Sequence, residues 1–162
     1  MASGVLNSPG LSFFAVPAMV AMALGAHNTA IFLSNKDGSV PAFDNLAPTV
    51  WRSKVQGMAS TNATAGKIVR LEGLMANHFE NLPQFGIAML AAHLAKLPIE
   101  LINSYTKFFM ASRVLFSFLY VQNSSSIPLS GLRTLTYLSG LIANMTLIVK
   151  AGRTLTRGTK VL

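Results

Sequence analysis

The stretch "RLEGLMANHFENLPQF", residues 70–85, decides how this chain is to be read. Hydrophobic residues make up 51% of the protein and charged residues 11%, yet Arg70, Glu72, Asn77, His78, Glu80, Asn81 and Gln84 crowd into this one segment. On a helix, Arg70, Gly73, Asn77, Glu80 and Gln84 fall within an arc of roughly 80°. Asn81 borders that arc, while Glu72 and His78 lie well outside it and are assigned to an interface or to packing. A narrow polar stripe on an otherwise apolar helix is the pattern of a membrane span. An ionisable residue at the centre of a span costs about 2.5–3.5 kcal/mol. Such residues face a bundle interior, pair with one another and mark functional sites.

The rest of the chain fits a membrane protein. Its 162 residues make one domain, residues 1–162, and the mean hydropathy is +0.48. A hydrocarbon core takes roughly 20 apolar residues per helix, and residues 11–33, 68–94, 99–121 and 132–150 each supply a span. Short connections between them predict an all-α integral membrane protein, a four-transmembrane-helix antiparallel bundle. Residues 35–66 show no helical or strand period and read as a long polar loop. Within it "PTVWRSKV" is expected to rest at the membrane surface with Trp51 as an aromatic anchor. "QNSSSIPLSG" reads as a second polar loop, which puts Arg133 at the very start of the fourth helix.

Charge and cysteine narrow the chemistry. The net charge is +8, but the cations sit singly at the ends of apolar blocks and inside them, without the basic, aromatic-studded face of a nucleic-acid binder. Lys36, Arg52, Lys54 and Lys67 lie on one side and Lys150, Arg153, Arg157 and Lys160 on the other, so the positive-inside rule sets no orientation. The first cation is Lys36, so no basic signal-peptide region precedes the first apolar block, which is expected to be a retained membrane helix. With no cysteine, disulfides, thiolate metal sites and a cysteine nucleophile are excluded. Any thiol chemistry takes its thiol from a ligand. His78 and His93 lack metal-ligand spacing with a third ligand, and no metal is expected.

A second stripe, Arg113, Ser117 and Tyr120, follows at i, i+4 and i+7 on the third helix. A Glu80–Arg113 pair would neutralise both and set helix register, but it leaves Arg70, Asn77, Tyr120 and Arg133 without a task. Cationic donors with one carboxylate and one amide suit a zwitterionic small molecule bearing carboxylates and an amine. His27 and Asn28 are assigned to an interhelical hydrogen bond.

Taken together, "RLEGLMANHFENLPQF", "ASRVLFSFLY" and "LRTLTY" resemble the MAPEG family, the membrane-associated proteins of eicosanoid and glutathione metabolism. The family pattern runs Arg, then Asn seven residues on, then Glu three later, then a Pro-aromatic exit; here these are Arg70, Asn77, Glu80, Pro83 and Phe85. Arg113 and Tyr120 match the third-helix motif, and Arg133 matches the arginine opening the fourth helix. The resemblance spans residues 66–150. It implies a homotrimer with glutathione in clefts between subunits, held by Arg70, Asn77, Glu80, Arg113 and Tyr120, with Arg133 as the catalytic residue that stabilises the thiolate. It further implies a multi-pass protein of the endoplasmic reticulum that acts as a glutathione transferase or peroxidase on a lipophilic electrophile.

The implied role suits arginine. A thiol with a pKa of about 8.5 is mostly protonated at neutral pH, and a permanent neighbouring cation favours the thiolate. Three features depart from the family. Gly73 stands where several members carry a second arginine, Phe116 stands where many carry Tyr or His, and the segment from Tyr120 to Arg133 is longer. These departures keep two alternatives open: a MAPEG-fold isomerase or cyclase for a hydrophobic metabolite, and a non-catalytic membrane adaptor that uses the stripe for helix assembly.

Overall fold

A computed structural model of the chain describes Gly4, residues 7–122 and residues 127–158. From residue 7 onward, the described residues form four long helices and one short one: α1 (Leu11–Lys36), α2 (Pro48–Met58), α3 (Ala63–Leu94), α4 (Ile99–Val121) and α5 (Ile127–Gly158). Local chemistry accounts for their ends. Lys36 occupies the last turn of α1, where a cation suits the helix dipole. The Asn62 side chain caps α3 by accepting the Ala65 N–H at 2.9 Å. Lys96 takes a left-handed φ of 53°, which breaks the chain between α3 and α4 ahead of Pro98, the N-cap of α4.

The cross-helix contacts give the direction of each helix. Ser12 meets His93 and His27 meets Glu72, so α1 and α3 are antiparallel. Thr106 reaches Met89 and Ser117 reaches His78, so α3 and α4 are antiparallel too. Between α4 and α5, Gly140 lies beside Ser112 and Arg133 beside Tyr120, again antiparallel. A Cβ at Gly140 would lie 2.8 Å from Ser112 Oγ, so the absence of a side chain sets how closely α4 and α5 pack. Two apolar clusters fill the interior. One, around Met19, Phe85 and Phe109, lies at the end holding the α3–α4 turn; the other, around Ala30, Trp51, Val55 and Ile68, lies at the opposite end.

Several expectations change. The segment 35–66 is not one long loop, because α2 forms inside it with Pro48 in its first turn, where the missing N–H costs nothing. Trp51 is no surface anchor. It is 2% exposed, and its Nε1–H donates to Ser34 Oγ at 2.9 Å and to the Pro41 carbonyl at 3.2 Å. Nearby, the Thr64 hydroxyl and then Ser39 hold the Asp37 carboxyl below its ordinary pKa. The helix α3 begins at Ala63 rather than 68, and α5 begins at Ile127 rather than 132. Pro128 falls in the first turn of α5 and so does not break it. Arg133 therefore sits in the second turn of α5, not at its start, and residues 123–126 of the expected second loop lie outside the described residues.

Large apolar side chains cover the outer faces, among them Phe32 (60% exposed), Phe118 (63%) and Leu135 (65%). Among the described residues, α1 and α5 are the two helices both long and apolar enough to cross a membrane by composition. Helices α3 and α4, at 32 and 23 residues, have the length. Their charged and amide side chains keep them below that threshold.

Candidate functional site

Arg113 is the most unusual residue of the interior. Its side chain is 1% exposed on the inner face of α4, and no carboxylate partners it. One Nη2 donates to Asn77 Oδ1 at 2.6 Å and lies 3.3 Å from His78 Nδ1. Arginine carries no acceptor, so His78 Nδ1 must be the acceptor and its proton sits on Nε2. That nitrogen donates to Ser117 Oγ at 2.9 Å, and the hydroxyl returns its proton to the Arg113 carbonyl at 2.7 Å. The guanidinium lies 4.4 Å above the Phe116 ring and 6.0 Å from that of Tyr137. Its Nε and Nη1 have no partner among the described residues. An uncompensated buried ion costs several kcal/mol, so this arginine is held at an energetic cost.

Beside this group lies a cleft of about 200 Å³ lined by Asn77, Phe116, Tyr120, Arg133, Thr134 and Tyr137. Arg133 and Tyr137 are one turn apart on α5 and share a face. The Arg133 guanidinium stands 5.2 Å from the centre of the Tyr120 ring. Asn77, Tyr120 and Arg133 thus share one cleft, with Arg113 directly behind Asn77.

The remaining members of the stripe go elsewhere. Arg70 Nε donates to the Val121 carbonyl at 3.2 Å and so caps the C-terminal end of α4. Glu80 is exposed and does not meet Arg113; among the described residues the only ion pairs are those of Glu72. Glu72 and His78, placed outside the stripe, are in fact 5% and 1% exposed. Glu72 Oε1 pairs with His27 Nδ1 at 2.6 Å and Oε2 with Arg52 Nη2 at 2.5 Å, which ties α1, α2 and α3 together. The His27 contact is the interhelical bond its position suggested. Polarity on a helix wheel shows that a face is special without showing which face is inside, since apolar residues can face lipid as readily as the core. Tyr137, absent from the expected set, carries a legible signal in standing four residues after Arg133.

A second cleft of about 300 Å³ opens between α2 and α3 and shares Tyr120 with the first. The Tyr120 hydroxyl lies over Gly73, where a Cβ would be only 2.6 Å away.

The MAPEG family model matches residues 10–153 of the chain. The chain belongs to the MAPEG family. This is a membrane-associated family that includes glutathione transferases and related enzymes, and the match extends over α1 and α2, which the sequence motifs did not reach. No curated protein and no solved structure matches the chain.

Proposed function

We propose that this MAPEG protein is a membrane-bound glutathione transferase or peroxidase acting on a lipophilic electrophile. The observation that carries the reading is the buried Arg113 guanidinium behind Asn77, its Nε and Nη1 without a partner among the described residues, next to a cleft holding Tyr120 and Arg133. The donor set suits the ligand. Asn77 and Arg113 offer N–H donors to a peptide carboxylate or amide, and Arg133 offers a permanent cation to a thiolate. Glutathione supplies the nucleophilic thiol. Arg133 favours its ionised form, Asn77 and Arg113 orient the peptide, and the Phe116 and Tyr137 rings exclude water from the charges. Arg70 and Glu80 belong to the proposed glutathione set through the family motif alone, since neither faces this cleft.

A cleft of about 200 Å³ is smaller than the roughly 300–1,000 Å³ of ordinary ligand pockets. Its size supports a site completed by a neighbouring subunit, hence a homotrimer of four-span subunits with α3 and α4 shielded by their partners. An endoplasmic reticulum location belongs to the same reading. The test is glutathione binding and thiolate formation, followed by ultraviolet difference absorbance in purified protein. Arg133→Ala is expected to abolish the thiolate signal and conjugate formation while the oligomer persists. Intact thiolate formation in that variant would remove the reading.

One observation favours a second reading, a MAPEG-fold isomerase or cyclase. Gly73 leaves the α2–α3 cleft without the additional arginine of the family pattern, and Tyr120 occupies that space. Turnover of a hydrophobic metabolite in glutathione-free medium would favour it.

A further inference from the structure

The α2–α3 cleft is walled on its apolar side by Trp51, Val55, Ile68, Val69 and Ala76. Its polar groups are few, and most are already engaged. Both oxygens of Glu72 are taken by His27 and Arg52, so the carboxylate has no charge left over for a cationic ligand. An anionic ligand would have to sit beside that same carboxylate. Two polar groups remain available: the Gln56 amide, on an exposed residue at the solvent side of α2, and the Tyr120 hydroxyl, which has no hydrogen-bond partner among the described residues and stands at the cleft wall over Gly73. A phenol O–H facing an apolar cavity is a donor that matches a neutral acceptor.

We propose that this cleft binds a lipophilic carbonyl compound, with the Tyr120 hydroxyl donating to the carbonyl oxygen and Gly73 leaving room for that hydroxyl. The proposal names a substrate class for the transferase reading and rests on it for one point, that the bound compound is the electrophile. The geometry gives Tyr120 two faces. Its ring meets Arg133 at 5.2 Å in the first cleft, and its hydroxyl serves the second. One side chain therefore separates the thiolate-stabilising cation from the carbonyl. A side chain at position 73 would push the hydroxyl aside, because its Cβ would lie 2.6 Å from Oη and 3.4 Å from Cε1 and Cζ.

Trp51 is the sole tryptophan and lines this cleft, so its emission reports on the site. The probe is decan-2-one, a saturated ketone that cannot react with a thiol, titrated into the full-length detergent-purified protein without glutathione. Saturable quenching of Trp51 is expected. Tyr120→Phe, which keeps the ring, should weaken apparent affinity about three- to tenfold, the effect of one lost hydrogen bond. Gly73→Ala should weaken it comparably by displacing the hydroxyl. Quenching that rises without saturation, or equal affinity in wild type and Tyr120→Phe, would overturn the proposal. The titration contains no thiol, so a failure of the glutathione reading leaves its outcome unchanged.

Discussion

Arg113 is buried with two of its donor nitrogens unpartnered, and a side chain so placed lowers stability unless a ligand or neighbour uses it. Arg113→Met removes the desolvation cost of a buried charge but leaves Asn77 Oδ1 and the buried His78 Nδ1 without their donor. The two effects oppose each other, and unfolding free energy is expected to fall by no more than about 3 kcal/mol, the cost of an unsatisfied buried group. Glutathione affinity should fall at least tenfold, or about 1.4 kcal/mol. Thermal unfolding paired with glutathione titration checks both. A variant that melts at lower temperature yet binds glutathione with wild-type affinity would make Arg113 a structural residue. Of the residues the sequence points to, Asn77, Tyr120 and Arg133 line one cleft, with Arg113 behind it; helical spacing puts Arg113 and Tyr120 on one side of α4, and the packing of α3 and α5 against that side brings in the other two. Arg70 and Glu80 share the same stripe but part company. An arc of roughly 80° is wide enough for one edge to meet the end of α4 while the other faces outward. Glu72 serves packing, as its place off the stripe suggests, but its partners, His27 and Arg52, come from α1 and α2, and no spacing within α3 reveals them.

At the scale of elements, α2 is held to the bundle by Trp51 and Val55, four residues apart, and by Arg52 on Glu72. Glu72→Gln keeps the shape but loses the charge that both His27 and Arg52 use. Hydrogen bonds to charged groups contribute about 1.5–3 kcal/mol each, but the Arg52 side chain is 52% exposed and can turn to water. The expected loss is therefore about 1–3 kcal/mol. It should be concentrated in α2, seen as a red-shifted Trp51 emission and faster amide exchange over residues 48–58. Uniform destabilisation without those local changes would argue that α2 docks through its apolar residues alone. The same element shows why part of the fold is hard to read. A helix of 11 residues burying only Trp51 and Val55 leaves a two-point signal among polar neighbours. The start of α5 was hidden by "IPLSG", whose Pro, Ser and Gly suggest a loop although Pro is at home in a first helical turn. The long helices were legible because 20 or so apolar residues have few other uses.

For the whole molecule, the outer faces carry Phe32, Phe118, Leu135 and Ile142, which suit lipid or neighbouring subunits rather than water. In the proposed trimer, a subunit interface could assemble the catalytic groups from different chains or merely cover a cleft built by one. The structure favours the second arrangement for the polar set, since Asn77, Tyr120 and Arg133 line one cleft and Arg113 bonds Asn77, all within a single chain. Co-expression of Arg113→Met with Arg133→Ala decides between them. If both residues act on the same site within one chain, every site in a mixed trimer lacks one of them, and conjugating activity stays at the level of the single variants. If they act across an interface, a fraction of the sites regains both intact residues and activity returns in proportion. The expected result is no recovery, read as turnover per trimer after purification through two different affinity tags, so that only mixed assemblies are measured.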